Sequence, residues 1–447
     1  SADTFSVTRW LRMLTTNTSI CDTSGSILFY TNGKYLANKN NDTLYHSIGF
    51  NPGAETSFAT YGLSLPSGIV IIPLPNHDTQ YYIFHESSEP INTDSGVYYQ
   101  PINLSYSIID MTIDNGLGGI IDSYKNIHLI DDTLNYGRIA ACKHANGRDW
   151  WLFVHEYNTD RFYSFLITPD SIHGPFQQVI GSKTELINNQ FGAGIFSPDG
   201  SQYAMIGLWG IMQVFDFNRC TGKLSNPRQT TPPDLFESTL CCSFSPNSRF
   251  LYVTRRFDIY QYDTWANNLD QSRIKVADWD TFNSPFPTLF YNMQLAPDNN
   301  IYISTYGSSN IFHYIDQPDE QGISCNVIQN NFVLPQINAY STPTFPNYDL
   351  GRLIGSPCDT LFISAIAVNK EDFSFAISPN PASTQVNIVY SITETSLLSF
   401  TDLYGRTVKS IVLYPWFKNR VIYLNELPKG IYFATLIEGK KETSKKM

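Results

Sequence analysis

Apolar and polar positions alternate in short runs along the whole chain, and Gly, Pro, Asn, Asp and Ser clusters interrupt them. That period-two texture belongs to strands, whose successive side chains face opposite ways. No long stretch carries the 3.6-residue apolar repeat of an amphipathic helix. The pattern predicts an all-β chain.

The runs are organised into a repeat. Phe196-Ser197-Pro198-Asp199-Gly200 leads into an apolar run at 202–206 and a second at 212–217. The same order returns at Phe244-Ser245-Pro246-Asn247-Ser248 and at Leu295-Ala296-Pro297-Asp298-Asn299, with the prolines 48 and 51 residues apart. A Pro-Asp/Asn turn between two strands at that spacing is the period of a four-stranded propeller blade. Weaker copies begin at Ala145-Asn146-Gly147, at Asn76-His77-Asp78 (followed by 81–85 and 97–99) and at Ser24-Gly25. Six units are visible, and the segment 337–366 with a strand near the N-terminus is expected to add another. The expected fold is a β-propeller of about seven blades, closed so that no sheet edge stays free.

The texture changes after Pro357-Cys358. A linker is expected over 358–373, and 374–447 shows short alternating strands separated by turns at Tyr404-Gly405-Arg406 and Pro428-Lys429-Gly430, which reads as a small β-sandwich. The propeller then occupies 1–357.

Composition narrows the functional classes. The 447 residues carry a net charge of -11, and only 15% of them are charged. Nucleic acid is excluded as a partner, because its phosphates demand clustered cations. No apolar stretch approaches the ~20 residues of a spanning helix, so no membrane insertion is expected. The chain opens at Ser1-Ala2-Asp3 without a basic and apolar leader pattern. Seven cysteines (Cys21, Cys142, Cys220, Cys241, Cys242, Cys325, Cys358) show no CxxC pair, which excludes a zinc-finger spacing and leaves room for one or two disulfides.

The C-terminal strings carry a resemblance. Ser378-Pro379-Asn380-Pro381, then Asp402-Leu403-Tyr404-Gly405-Arg406, then Lys429-Gly430-Ile431-Tyr432 and the closing Lys445-Lys446 stand in that order. This segment resembles the type A C-terminal sorting domain of the type IX secretion system of Bacteroidota. The resemblance implies an Ig-like sandwich, export across the periplasm to the outer-membrane surface or beyond, and a partner in the outer-membrane export machinery or in another surface protein. The preceding residues resemble the propellers that commonly stand before such domains, through Lys143-His144-Ala145-Asn146-Gly147-Arg148 and Phe345-Pro346-Asn347-Tyr348 among others.

Candidate chemistry is sparse. His85-Glu86 and His155-Glu156 end equivalent strands of neighbouring units, so their imidazoles and carboxylates are candidates to line one mouth or the central channel, with His144 and Arg148 adding polarity. Repeat-equivalent structural hydrogen bonding is the competing reading. Asn38 to Asp42 and Asp110 to Asp114 offer oxygen ligands for calcium, yet neither follows the EF-hand order and Asx turns account for both. No cofactor is expected. Thr43, Thr133, Ser171 and Thr360 sit in Asp-Ser/Thr-apolar triplets that resemble the Bacteroidota O-glycosylation motif. No nucleophile elbow, P-loop or dinucleotide fingerprint is present. The leading expectation is a non-catalytic secreted or surface propeller that binds a protein or glycan. A hydrolase with carboxylates at the mouth and a structural subunit of a surface assembly are the alternatives.

Overall fold

Each turn of the sequence repeat joins the first two strands of a blade in the computed structural model. The structure describes residues 11–93, 96–183, 192–207, 212–230, 239–340, 342–359, 373–378, 380–382, 385–415, 419–424 and 426–447. The turn chemistry explains the repeat. The Asp199 carboxylate accepts from Ser197 Oγ (2.6 Å), from the Ser201 amide (2.9 Å) and from Ser201 Oγ (2.8 Å). Asn247 does the same for Ser245 Oγ (2.7 Å) and the Arg249 amide (2.9 Å), and Asn146 accepts from the Arg148 amide (3.0 Å). Asp and Asn recur there because only a short side-chain acceptor closes this Asx turn.

Six blade sheets form among the described residues, one from each repeat unit. The first has three strands (Thr18–Cys21, Ile27–Thr31, Leu36–Asn38). The second is built on Ile69–Pro73, Gln80–His85, Asn103–Asp110 and Ile127–Asp131. The third runs Ala140–Lys143, Trp150–His155, Arg161–Ile167, Ile172–Val179, and the fourth Gly192–Phe196, Gln202–Gly207, Met212–Asn218, Lys223–Gln229. The fifth is Thr239–Phe244, Phe250–Arg255, Asp258–Asp263, Ile274–Asp278, and the sixth Phe290–Leu295, Ile301–Thr305, Ser308–Ile315, Val327–Ala339.

Two sequence expectations change in detail. The run 97–99 is not the third strand of the second blade, because a hairpin of Ser88–Thr93 and Gly96–Pro101 is inserted there and Asn103–Asp110 takes the blade position. The segment expected to build a further blade instead continues the sixth blade to Ala339. It then returns to the first: the Thr344 amide donates to the Asn17 carbonyl (3.0 Å), and Thr18 Oγ1 donates to the Thr344 carbonyl (2.6 Å). Residues 360–366 of that segment lie outside the described residues.

The core lies between neighbouring sheets. Ala204, Ile206 and Val214 of the fourth blade pack with Phe250, Leu251 and Val253 of the fifth and with Phe290, Ile301 and Ile303 of the sixth. A second cluster joins Val70, Ile72 and Phe84 to Trp150, Leu152 and Phe165. Each blade buries its faces only against its neighbours, which is why the fold needs the whole series.

The chain divides into two compact units, one holding most of the residues up to Tyr348 and the other holding Asp349–Met447 with Lys143–Arg148 and Arg219–Thr221. Within the second unit a disulfide links Cys220 to Cys358, whose Cα atoms are 5.7 Å apart. Cys142, Cys241, Cys242 and Cys325 are buried and Cys21 is exposed. The C-terminal residues form two sheets: Ser374–Ser378, Gln385–Ser391 and Asn419–Tyr423 in one, and Thr407–Leu413, Ser396–Thr401, Phe433–Glu438 and Lys441–Lys446 in the other. Phe375, Ile388, Leu398, Phe400 and Leu436 are buried in this small domain. No helix among the described residues is long and apolar enough to cross a membrane.

Replacing Asp199 with Ala removes three hydrogen bonds at once and is expected to lower unfolding free energy by about 1–3 kcal/mol, while Asp199→Asn costs less. Denaturant melts of the two variants check the order.

Candidate functional site

The two expected imidazoles are fixed inside the propeller. His85 is fully buried at the end of Gln80–His85, with its ring centroid 4.5 Å from that of Phe50. Its Nδ1 donates to Asn51 Oδ1 (2.9 Å), and Nε2 faces Ser107 Oγ (3.3 Å). The acceptor role of Asn51 follows from its amide nitrogen, which donates to the Gly33 and Glu86 carbonyls (2.9 and 2.8 Å). His155 repeats the device one blade on: Asn135 Nδ2 donates to its Nδ1 (2.5 Å), and Phe162 lies 4.4 Å from its ring. A third copy, with no marker in the sequence, is His313, which donates to the Thr288 carbonyl (2.8 Å), accepts from the Asn330 amide (3.2 Å) and packs on Phe290 at 4.9 Å.

Burial pushes His85 down to about 3, with a smaller contribution from His128, and pushes His155 down to about 3 with help from the Arg138 charge. His313 falls to about 4 for the same main reason, loss of solvent. All three rings are neutral at ordinary pH, and each ties its strand to a neighbouring segment.

Glu86 and Arg138 form the polar centre. Both are almost entirely buried, at 1% exposure each. Loss of solvent drives the Glu86 carboxyl well above the usual range, and the Arg138 charge and the Gly137 amide draw it part-way back. Arg138 itself is lowered to about 10 by burial, against the pull of Tyr203, Cys242 and Glu86. The neighbours leave room for the guanidinium. A Cβ on Gly194 would stand 2.5 Å from Tyr203 Oη and 3.3 Å from Arg138 Cβ, and one on Gly192 would stand 2.7 Å from Arg138 Nη2. Gly137, at φ +73, would place a Cβ 1.8 Å from the Pro66 carbonyl oxygen, so only glycine makes that turn. Arg138 and Tyr203 have no signature in the sequence, because they stand in different repeat units and meet only once the ring is folded.

The remaining candidates are dispersed. Glu156 turns outward to Arg161 (2.8 Å) and Tyr163 Oη (3.3 Å). His144 and Arg148 lie in the second unit, where His144 Nε2 donates to the Cys220 carbonyl (3.1 Å), and Arg148 is exposed. The two acidic turns are filled by local donors: Asp110 by Gln80 and Thr112, Asn38 by the Asn40 and Asp42 amides. Thr43 is exposed, Thr133 and Ser171 are half-buried, and Thr360 lies outside the described residues.

A different set of groups faces solvent where the second strands of the first, fifth and sixth blades end. Arg12 stacks on Tyr61 at 4.8 Å, Lys34 on Tyr35 at 5.2 Å, and Arg256 on Tyr306 at 4.5 Å. Tyr306, Tyr291 and Tyr340 pack edge to face with centroids 5.4–5.7 Å apart. Phe58, Phe257 and Phe286 are exposed as well. No sequence signal distinguishes these residues from core aromatics.

In the C-terminal domain the motif residues are turn clamps. Asp402 accepts from the Tyr404 and Arg406 amides (2.9 and 3.0 Å) and from Arg406 Nε (2.8 Å), with Gly405 at φ +77 between them. Tyr432 Oη donates to the Pro428 carbonyl (2.6 Å), across Lys429 and Gly430, and Asn380 Nδ2 donates to the Lys446 carbonyl (2.8 Å). Lys445 lies over the Phe375 ring at 5.8 Å. Ser378 ends the first strand, Pro381 follows Asn380, and Pro379 lies outside the described residues.

Residues 376–447 match the family described as the secretion system C-terminal sorting domain. The chain carries a type IX sorting domain. Its cargo is therefore exported to the cell surface or beyond, and the sorting domain engages the export machinery on the way. No curated protein matches the chain. Among solved structures, the periplasmic gluconolactonase PpgL of Pseudomonas aeruginosa is 13% identical, covering 80% of this chain and 88% of its own, with a TM-score of 0.38. A Bacteroides uniformis protein described as a 6-phosphogluconolactonase is 13% identical over 72% of this chain and 96% of its own (TM-score 0.37). AztD of Citrobacter koseri is 13% identical over 61% and 62% (TM-score 0.34). Likenesses this distant carry nothing about activity.

Arg138→Met removes the charge that draws the Glu86 carboxyl part-way back and is expected to lower the stability of the fold. The double variant with Glu86→Met should cost less than the sum of the two single changes, which a double-mutant cycle measures. Between pH 6.5 and about 3 the unfolded chain binds protons that folded His85 and His155 refuse, so stability falls as pH falls through that window. His155→Gln should flatten the slope by about 1.4 kcal/mol per pH unit where the unfolded imidazole is fully protonated.

Proposed function

We propose that this chain is a non-catalytic binding propeller of a Bacteroidota cell, delivered by a type A, Ig-like sorting domain and presented at the outer-membrane surface or released. The observation behind it is the division of labour among polar groups. The imidazoles of His85 and His155, which a catalyst could use, are held by side-chain hydrogen bonds inside the fold, and Glu86 is buried with its carboxyl raised. Among the groups that face solvent are guanidinium and ammonium heads shelved on tyrosines, which suit recognition of a polar ligand. In this reading 1–357 is the binding domain, 358–373 a linker and 374–447 the address, recognised by the outer-membrane machinery or by another surface protein. The propeller ligand is a protein or a glycan. Among the described residues Thr43, exposed in its Asp-Thr-Leu triplet, is the O-glycosylation position most open to an enzyme.

Deleting residues 374–447 should strand the propeller in the periplasm, read by fractionating cells that express the truncated and the full chain. Export of the truncated chain at the normal level refutes the assignment.

A further inference from the structure

The exposed end of the first blade holds a pocket of about 440 Å³ lined by Leu11, Arg12, Asn32, Tyr35, Thr60 and Tyr61. Its frame is fixed from beneath. Asn32 is buried, donates through Nδ2 to the Arg12 carbonyl (2.7 Å), and accepts at Oδ1 from the Lys34 and Tyr35 amides (3.1 and 2.9 Å). Lys34 Nζ donates to the Ala59 carbonyl (2.7 Å), which ties this turn to the segment that carries Thr60 and Tyr61. Arg12, Tyr35 and Tyr61 are thereby held around one space, with Lys34 over the Tyr35 ring beside it, rather than scattered on a mobile surface.

The charge there is unusual for this chain. The protein has 40 acidic and 29 basic side chains, yet neither Arg12 nor Lys34 makes an ion pair with a carboxylate among the described residues. The nearby acids are occupied elsewhere: Glu55 accepts from the Ser64 amide and hydroxyl (2.7 Å each) and from Ser88, and Glu89 accepts from the Ala54 amide (2.7 Å). Two cations without a carboxylate partner among the described residues therefore sit beside two tyrosines that are 49% (Tyr61) and 38% (Tyr35) exposed. A guanidinium on a ring keeps its N–H edge free for bidentate pairing with a carboxylate. The phenol hydroxyls and the Thr60 hydroxyl add donors and acceptors, and the uncovered ring surface accepts the C–H face of a pyranose through its negative quadrupole.

We infer that this pocket binds a carboxylated saccharide, a uronic-acid unit of an acidic glycan, with Arg12 on the carboxylate and Tyr61 and Tyr35 against the sugar. This names the ligand class of the binding propeller proposed above and rests on that reading. The test is calorimetric titration of the purified full chain with trigalacturonate, with the neutral galactotriose and with inorganic phosphate. Saturable binding of trigalacturonate is expected, with galactotriose and phosphate each at least about tenfold weaker. Arg12→Gln, at an exposed position, should erase the preference for the acid while leaving the neutral sugar unchanged. Tyr61→Ala should weaken both sugars about tenfold at an unaltered melting temperature. Absence of trigalacturonate binding, phosphate binding as tight as the sugar, or binding unmoved by Arg12→Gln overturns the inference. Failure of this kind leaves the export reading standing, because the titration is blind to location, and a protein trapped inside the cell would leave the titration unchanged.

Discussion

Crowding at the propeller axis is the constraint on which the other features depend. The innermost strands of successive blades converge there, and whatever they carry must be small or must bring its own partner. Gly192-Ala193-Gly194 meets the first condition and Arg138 beside Glu86 the second. Burial raises the Glu86 carboxyl and lowers Arg138, and each group partly offsets the other's loss of solvent. The same dryness holds His155 neutral, with Arg138 reinforcing the effect, and the chain converts groups that look reactive into structural pins.

Asx-type clamps recur in both parts of the molecule. Asp199, Asn247 and Asn146 close propeller turns, and Asp402 closes the turn of the sorting domain in the same manner. The motif that reads as an export address is thus, in the folded state, a set of clamps that specify one small sandwich. What these clamps present outward is Leu403 and Tyr404 at the tip of the Asp402 turn, both strongly exposed.

The blades are legible in the sequence because each needs an acceptor at a fixed place in its first turn, and that acceptor leaves a trace every fifty residues or so. The inserted hairpin is not legible: 97–99 alternates as a blade strand does, and only its pairing with Ser88–Thr93 distinguishes it. Closure through Thr344 and Asn17 joins residues more than three hundred positions apart, with no local signal to announce it. His85 and His155 stand out because Glu follows each, whereas His313, which does the same work, is followed by Tyr314 and carries no such marker. Arg12 and Tyr61 carry no motif at all, and their pairing depends on the Asn32 and Lys34 contacts that bring two loops together.

Presentation of the propeller outside the cell is tested most directly by protease treatment of intact cells, followed by detection of the propeller and the sorting domain separately. The propeller is expected to be cleaved on intact cells or recovered in the medium. Protection of the propeller until the outer membrane is opened would contradict its presentation there.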